Sequence, residues 1–235
     1  MALLEVRGLE TAYGDSQVLF GLSLSVERGE VVALLGRNGA GKTTTLSSVM
    51  GLVPPRAGSI RFDGAEIKGC EPFQASRAGL GFVPENCRLF AGLTVAENFE
   101  TARRPRRSGE SRWDIDEVLA LFPDIKDFLH RRAGLLSGGQ QRMVAIARTL
   151  LGNPTLLLLD EPSEGLAPLV VGAILERLKR LKQTGTTVLI SEQNLRFATE
   201  LADRVLIIER GEIRYEGTPA QLSAHPEVRE KYLMV

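Results

Sequence analysis

Histidine and cysteine are nearly absent from this 235-residue chain, with two of each. Cys70 and Cys87 stand far apart without C-x-x-C spacing, and the histidines are His130 and His225, so neither a zinc site nor a disulfide framework is expected. An excess of either charge is also missing. Lysine plus arginine and aspartate plus glutamate each number 29, which leaves no global basic field, and no nucleic-acid partner is expected. The local run Arg103-Arg104-Pro105-Arg106-Arg107 has a central proline and flanking Ser108 and Gly109, and reads as a solvated loop. Long apolar runs are lacking too: no stretch reaches the ~18 residues of a membrane span, and Met1 to Arg7 lacks the apolar core of a signal peptide. The chain is therefore expected to be cytosolic or peripheral, with other chains doing any spanning. What remains is 43% apolar content, enough to fill a sizeable core in one domain or one domain with an inserted lobe.

The stretch around which the rest is organised is Gly36-Arg37-Asn38-Gly39-Ala40-Gly41-Lys42-Thr43-Thr44. It follows the apolar run Val31 to Leu35 and precedes a helix-compatible segment reaching Met50. Strand, glycine-rich loop and helix in that order, with G-x-x-x-x-G-K-T spacing, let backbone N–H groups wrap a polyphosphate. Lys42 is placed to reach the β- and γ-phosphates and the Thr43 hydroxyl to ligate Mg²⁺, with the helix dipole favouring the same anion. Alone, this loop says only that a nucleotide binds.

Upstream, Leu3 to Arg7, Val18 to Phe20 and Ser23 to Val26 read as short strands of an antiparallel opening. Tyr13 before Gly14 is either a strand-end tyrosine or a ring that stacks on adenine. Downstream, Ser59 to Phe62 is a strand entering the turn Asp63-Gly64, and Gly81-Phe82-Val83 is another. Glu85 follows it, either an exposed loop glutamate or a carboxylate touching Mg²⁺ or the attacking water. Residues 86–136 change character, with Thr94 starting one helix and Trp113 to Phe122 forming another, so a mostly helical insert is expected.

The chain returns in Leu136-Ser137-Gly138-Gly139-Gln140-Gln141-Arg142. Ser137 and Gln140 have capping-box spacing, which predicts a helix through Leu151 with Met143, Ala147 and Leu150 on one face. Two glycines at a helix start bare its N–H groups, making a second anion site that one nucleotide at Lys42 need not use. Leu156 to Leu159 is an apolar strand suited to a parallel sheet, closed by Asp160 and Glu161. There Asp160 can hold the Mg²⁺ water shell and Glu161 can polarise a water for in-line attack on the γ-phosphate. Helices over 168–184 and 195–202 flank a strand at Thr187 to Ser191, continuing the parallel α/β alternation. Gln193 follows that strand, an ordinary surface glutamine or an amide reaching the γ-phosphate. Arg210-Gly211 is a hairpin signal between two further strands, and two short helices follow Pro219.

Together the phosphate loop, Leu136 to Gln140 and Leu156 to Glu161 resemble the ABC transporter ATPase family along essentially the whole chain. That resemblance implies an α/β P-loop NTPase fold, with a mainly parallel core sheet, an antiparallel β subdomain and an inserted helical subdomain. Residues 1–85 and 137–235 would form the RecA-like core with its N-terminal β subdomain, and 86–136 the helical subdomain, within one ATPase domain. It implies ATP and Mg²⁺ as cofactors and a head-to-tail pair of ATPase subunits, sister chain or self. In that pair the Ser137-Gly138-Gly139-Gln140 helix of one subunit closes over ATP held by the other's loop. Tyr13 then matches the adenine-stacking ring and Val18 joins the nucleotide contacts, alongside Gly36, Asn38, Gly39, Ala40, Gly41, Lys42, Thr43 and Thr44. Lys42, Glu161, Gln193 and Glu85 match catalytic positions, and Thr43, Asp160 and Glu85 metal-facing ones.

Glu85 stands where most relatives have glutamine, Gln193 where most have the switch histidine, and Ala167 where aspartate is usual. Val83-Pro84-Glu85, Glu161 to Pro168 and Ser191-Glu192-Gln193-Asn194 look like the smaller ATPase subunit of branched-chain amino-acid importers, the LivF type. ATPases of urea and short-chain amide importers are closely similar, and Glu164-Gly165 leans their way. The resemblance implies two transmembrane permease subunits, a solute-binding protein acting indirectly, and a peripheral location on the cytoplasmic membrane face. Leu89, Phe90 and Leu93 are either the surface that receives a permease helix or core of the helical lobe. A soluble ABC ATPase outside transport is the rival reading. Those usually join two ATPase halves or carry a long coiled-coil insertion, which this chain lacks. Because glutamine cannot carry positive charge to a γ-phosphate as histidine can, Gln193→His is expected to raise ATP turnover, and equal rates in parent and variant would contradict that.

Overall fold

The structure is a computed structural model that describes residues 2–103 and 113–233; Arg104 to Arg107 of the basic run lie outside the described residues. Five strands run parallel in the central sheet because each is apolar on both faces and all but the last are followed by helical segments that return the chain. They are β3 (Val31–Leu35), β6 (Leu80–Val83), β7 (Leu156–Asp160), β8 (Thr187–Glu192) and β9 (Arg204–Glu209). With antiparallel β10 (Glu212–Gly217) at the edge, the order is β10-β9-β3-β8-β7-β6. A second sheet, order β2-β1-β4-β5, comprises β1 (Leu4–Tyr13), β2 (Ser16–Val26), β4 (Ala57–Phe62) and β5 (Ala65–Glu66).

Side-chain alternation along the central strands divides them between two cores. Val32, Leu34, Leu156, Leu158, Leu189, Leu206 and Ile208 face the antiparallel sheet and α1 (Lys42–Val49). Their neighbours Val31, Ala33, Leu35, Leu157, Leu159, Val188, Ile190, Val205 and Ile207 face the opposite layer. That layer holds α5 (Gly138–Leu150), α6 (Pro168–Gln183) and α7 (Leu195–Leu201). Between residues 86 and 136 lie α3 (Val95–Glu100), α4 (Ile115–Leu121) and two 3₁₀ turns, whose Phe99, Phe122 and Ile125 join the same core through α5. Capping boxes at Thr94–Glu97, Asp114–Glu117 and Ser137–Gln140 start α3, α4 and α5.

One expectation needs correction. The opening is one long hairpin rather than three short strands. Gly8 and Gly21, both at positive φ, sit where the β1–β2 register slips, so what looks like a strand break is a bulge inside a continuous strand. Helix α2 (Pro72–Ala78), which is not among the expected elements, opens on Pro72 behind a Glu71–Gln74 capping box. The chain closes with α8 (Pro219–Ala224) and α9 (Pro226–Tyr232). No helix among the described residues is long and apolar enough to cross a membrane.

The β9–β10 turn, far along the chain, steadies the phosphate loop. Gly211 donates its N–H to the Ala40 carbonyl at 2.8 Å and accepts the Phe20 N–H at 3.1 Å, joining the loop and both sheets at one residue. Its φ is 78°, and a Cβ there would lie 1.9 Å from the Val18 carbonyl oxygen. Gly211→Ala should therefore cost at least about 1–3 kcal/mol. Urea unfolding of the variant should show a lower midpoint, and an unchanged midpoint would contradict this packing.

Candidate nucleotide site

The site lies beyond the carboxyl ends of β3, β7 and β8, where parallel strands release their loops side by side. Val18, Gly39, Gly41, Lys42, Thr43, Thr44 and Glu161 line a cavity of about 260 Å³. Lys42 is 3% exposed. Its ammonium donates to the Gly36 carbonyl at 2.7 Å and the Arg37 carbonyl at 3.0 Å, and stands 3.1 Å from Glu161 Oε1. This buried ion pair joins the first phosphate-loop helix to the end of β7.

Thr43, alone in its turn of α1, is exposed, and its hydroxyl donates to Asp160 Oδ1 at 3.1 Å. Burial pushes the Asp160 carboxyl up, against hydrogen bonds from Ser191 and Thr43 that pull it down. The Ser191 hydroxyl donates to Asp160 Oδ1 at 2.6 Å and accepts the Glu161 N–H at 3.1 Å. The Ser191 carbonyl takes the same N–H at 3.1 Å. Glu161 needs that grip, because its φ of 45° is left-handed for a residue with a full side chain. Thr43 and Asp160 bring a hydroxyl and a carboxylate, both hard oxygen donors, together at the mouth of the phosphate loop, so the donor set fits Mg²⁺.

Other candidates stand apart from this cavity. Gly36 and Ala40 are buried parts of the loop, and Asn38 is exposed. Tyr13 is half exposed at the end of β1, and Glu85 is exposed beyond β6. The Pro84 carbonyl before Glu85 meets buried Arg142 at 3.4 Å, and Arg142 also reaches the Asp160 carbonyl at 3.5 Å, so one guanidinium ties both loops to α5. Gln193 is exposed in a neighbouring hollow of about 280 Å³ shared with Glu161, Ser163, Glu164, Glu192 and Asn194.

Ser137 and Gly138 are exposed at the start of α5, and neither they, Gly139 nor Gln140 lines the Lys42 cavity. The Ser137 hydroxyl accepts the Gln140 N–H at 3.3 Å, and the Gln140 side chain accepts the Ser137 N–H at 3.0 Å. Gly139 is buried, and a Cβ there would come within 2.3 Å of Val170 Cγ1, so close approach of α5 to α6 requires glycine at this position.

Four partners are not marked as site residues by the sequence alone. Ser163, Glu164 and Ser191 lie beside the groups above, and Glu192, 1% exposed, accepts hydrogen bonds from Ser163 and Asn194. Burial pushes the Glu192 carboxyl up, against those bonds. The usable signal was the polar pair Ser191-Glu192 ending an otherwise apolar parallel strand.

A matching model for the ABC transporter family spans residues 19–164, and the chain belongs to that family of ATP-hydrolysing transporter subunits. It is 42% identical, over 96% of its length and 97% of the relative, to a high-affinity branched-chain amino acid transport ATP-binding protein of Pseudomonas aeruginosa. It is also 36% identical, over 99% and 98%, to the lipopolysaccharide export system ATP-binding protein LptB of Escherichia coli. Among solved structures, an ATP-binding cassette of an ABC transporter in its ADP conformation superposes with a TM-score of 0.82, 27% identity and 98% coverage of both chains. A dimeric cassette in a post-hydrolysis state with ADP and Pi superposes at 0.78, with 26% identity and 92% and 98% coverage. Proteins of this family bind nucleotide, pair with one another and work with membrane permease subunits.

Glu164 gives the site a pH signature. A hydrogen bond shared with Glu161, then burial, then the Glu161 and Glu85 charges hold its carboxyl up to about 7, against Lys42. The ordinary value is 4.5. Between those values the folded chain carries a proton that the unfolded chain has released, so this group's contribution to stability is full below the window and lost as pH rises through it. Glu164→Gln should flatten the decline in thermal midpoint between pH 4.5 and 7.5. Identical slopes for parent and variant would contradict the shared proton.

Proposed function

We propose that the chain hydrolyses ATP to power import of branched-chain amino acids through separate membrane subunits. The observation that carries the ATPase reading is the meeting of Lys42, Thr43, Asp160 and Glu161 at one sheet edge, with Lys42 to Glu161 and Thr43 to Asp160 both at 3.1 Å. In this reading, Lys42 and the backbone amides of Gly36 to Thr44 hold and polarise the phosphates, while Tyr13 and Val18 face the base. Glu161 orients the attacking water, and Glu85 and Gln193 approach the γ-phosphate from neighbouring loops. Thr43 and Asp160, with Glu85 nearby, would hold Mg²⁺, which when bound draws charge from the phosphate oxygens. Lys42 must then exchange its loop carbonyls for phosphate oxygens, which frees Glu161 from the ion pair for its water.

The separation of Ser137 and Gly138 from the Lys42 cavity supports a head-to-tail pair. Ser137, Gly138, Gly139 and Gln140 would complete the site of a second ATPase subunit, sister chain or self. Residues 1–85 and 137–235 act as the nucleotide-binding core, and 86–136 as the lobe that meets the membrane partner. Phe90 is 54% exposed. It stands near a groove of about 300 Å³ lined by Met50, Leu52, Phe82, Arg88, Arg148 and Pro154; Arg148 lies 5.7 Å from the Phe90 ring. That groove would receive a short helix of a permease subunit, with Leu89 packed on the helical core and Leu93 half-buried. The chain would then sit peripherally on the cytoplasmic membrane face, with a solute-binding protein acting across the membrane.

Branched-chain amino acids rank first because of the 42% identical relative and the Val83-Pro84-Glu85 and Ser191 to Asn194 stretches. Import of urea or short-chain amides is the second reading, favoured by Glu164-Gly165. Glu161→Gln should abolish ATP turnover while strengthening the ATP-bound pair, and undiminished turnover would remove Glu161 from its role. Cells carrying that variant should lose uptake of labelled leucine and keep uptake of labelled urea. Loss of urea uptake alone would favour the second reading, and loss of neither would favour a soluble ATPase.

A further inference from the structure

Glu192 is an acid with no acidic task in the account so far. It ends β8, is 1% exposed, and has every side-chain bond directed at a donor. Oε1 accepts the Ser163 N–H at 3.0 Å, and Oε2 accepts the Ser163 hydroxyl at 2.8 Å and the Asn194 N–H at 3.2 Å. Its own carbonyl accepts the Gly36 N–H at 3.3 Å. One residue thus receives bonds from the phosphate loop, from the loop after β7 and from the loop after β8.

The residues it grips flank the two groups assigned to hydrolysis. Ser163 lies two residues after Glu161, with only Pro162 between, and Asn194 directly follows Gln193. Glu161 has a left-handed backbone that it would not hold unaided. Ser191 secures it upstream, and Ser163 on Glu192 secures it downstream. Isolating a carboxylate from water is costly, and an apolar side chain would fill the same volume without that cost. What an apolar residue cannot do is hold Ser163 by both its N–H and its hydroxyl while also accepting the Asn194 N–H.

We propose that Glu192, acting through Ser163, is a positioning residue for ATP hydrolysis: it fixes the Glu161 loop against the Gln193 loop. The inference rests on the assignment of Glu161 and Gln193 above. A glutamine at 192 keeps the volume but turns an amide donor toward the Ser163 N–H or the Asn194 N–H, so one bond is lost and two donors are opposed. Nucleotide affinity is set by the phosphate loop, which this change leaves in place because the Gly36 bond uses the Glu192 backbone.

The test is steady-state ATP turnover of the purified chain, with ADP affinity by fluorescence and thermal unfolding measured on each variant. Glu192→Gln should lower kcat about tenfold or more, with KM and ADP affinity within about twofold of the parent, since misplacement without lost contact acts on the chemical step. Ser163→Ala should lower kcat in the same direction, Ser163→Thr should restore it, and the double variant should be no slower than Glu192→Gln alone. Unchanged kcat in a folded Glu192→Gln chain would overturn the proposal. So would a kcat loss accompanied by an equal loss of ADP affinity, or fully additive effects. If Glu192→Gln fails to fold, the Ser163→Ala and Ser163→Thr pair decides: equal rates overturn the proposal, and loss with rescue supports it. Glu161→Gln run in parallel separates the two claims, because retained turnover there defeats the catalytic assignment itself.

Discussion

The Lys42–Glu161 pair is the interaction on which the arrangement of the site depends. Each side chain is almost fully buried, so each charge needs the other, and the pair spans the start of α1 and the end of β7. Those two ends are neighbours only because β3, β8 and β7 lie in register, with Leu35 opposite Glu192 and Asp160 opposite Ser191. A slip of one residue between β7 and β8 would carry Ser191 away from Asp160. Because Leu156 to Leu159 are apolar on both faces, the polar pair at the carboxyl edge marks this register where the apolar run does not.

That edge holds its functional groups from several sides at once. Gly211 secures the phosphate loop from the β9–β10 turn, Arg142 joins the Pro84 and Asp160 carbonyls, and Ser191 holds both Asp160 and Glu161. Gln193 and Glu85 beyond the strand ends, and Ser137 at the start of α5, are exposed. In the proposed reading the outward-facing Ser137 helix is a second anion site, which makes the chain half of a pair.

Much of this was legible in the sequence because the relevant signals are local. The G-x-x-x-x-G-K-T spacing, the apolar run ending in Asp160-Glu161 and the Ser137–Gln140 capping box each depend on residues only a few positions apart. The parts that were not legible depend on distant partners. Bulges at Gly8 and Gly21 look like strand ends until β2 is laid beside β1. The packing demand for glycine at 139 is invisible until Val170 of α6 is seen against it. Ser163 and Glu192 are 29 positions apart, and nothing in either segment announces the other.

The central claim is that one ATP is held by Lys42 of one chain and by the Ser137 helix of another. The most direct measurement is an experimental structure of the Glu161→Gln chain with ATP and Mg²⁺, alone or with a second ATPase subunit. The account predicts two cassettes head to tail, Lys42 on the phosphates rather than on the Gly36 and Arg37 carbonyls, and Ser137 to Gly139 of the opposite chain against the γ-phosphate. ATP enclosed by a single chain, with Ser137 of every copy facing solvent, would contradict it.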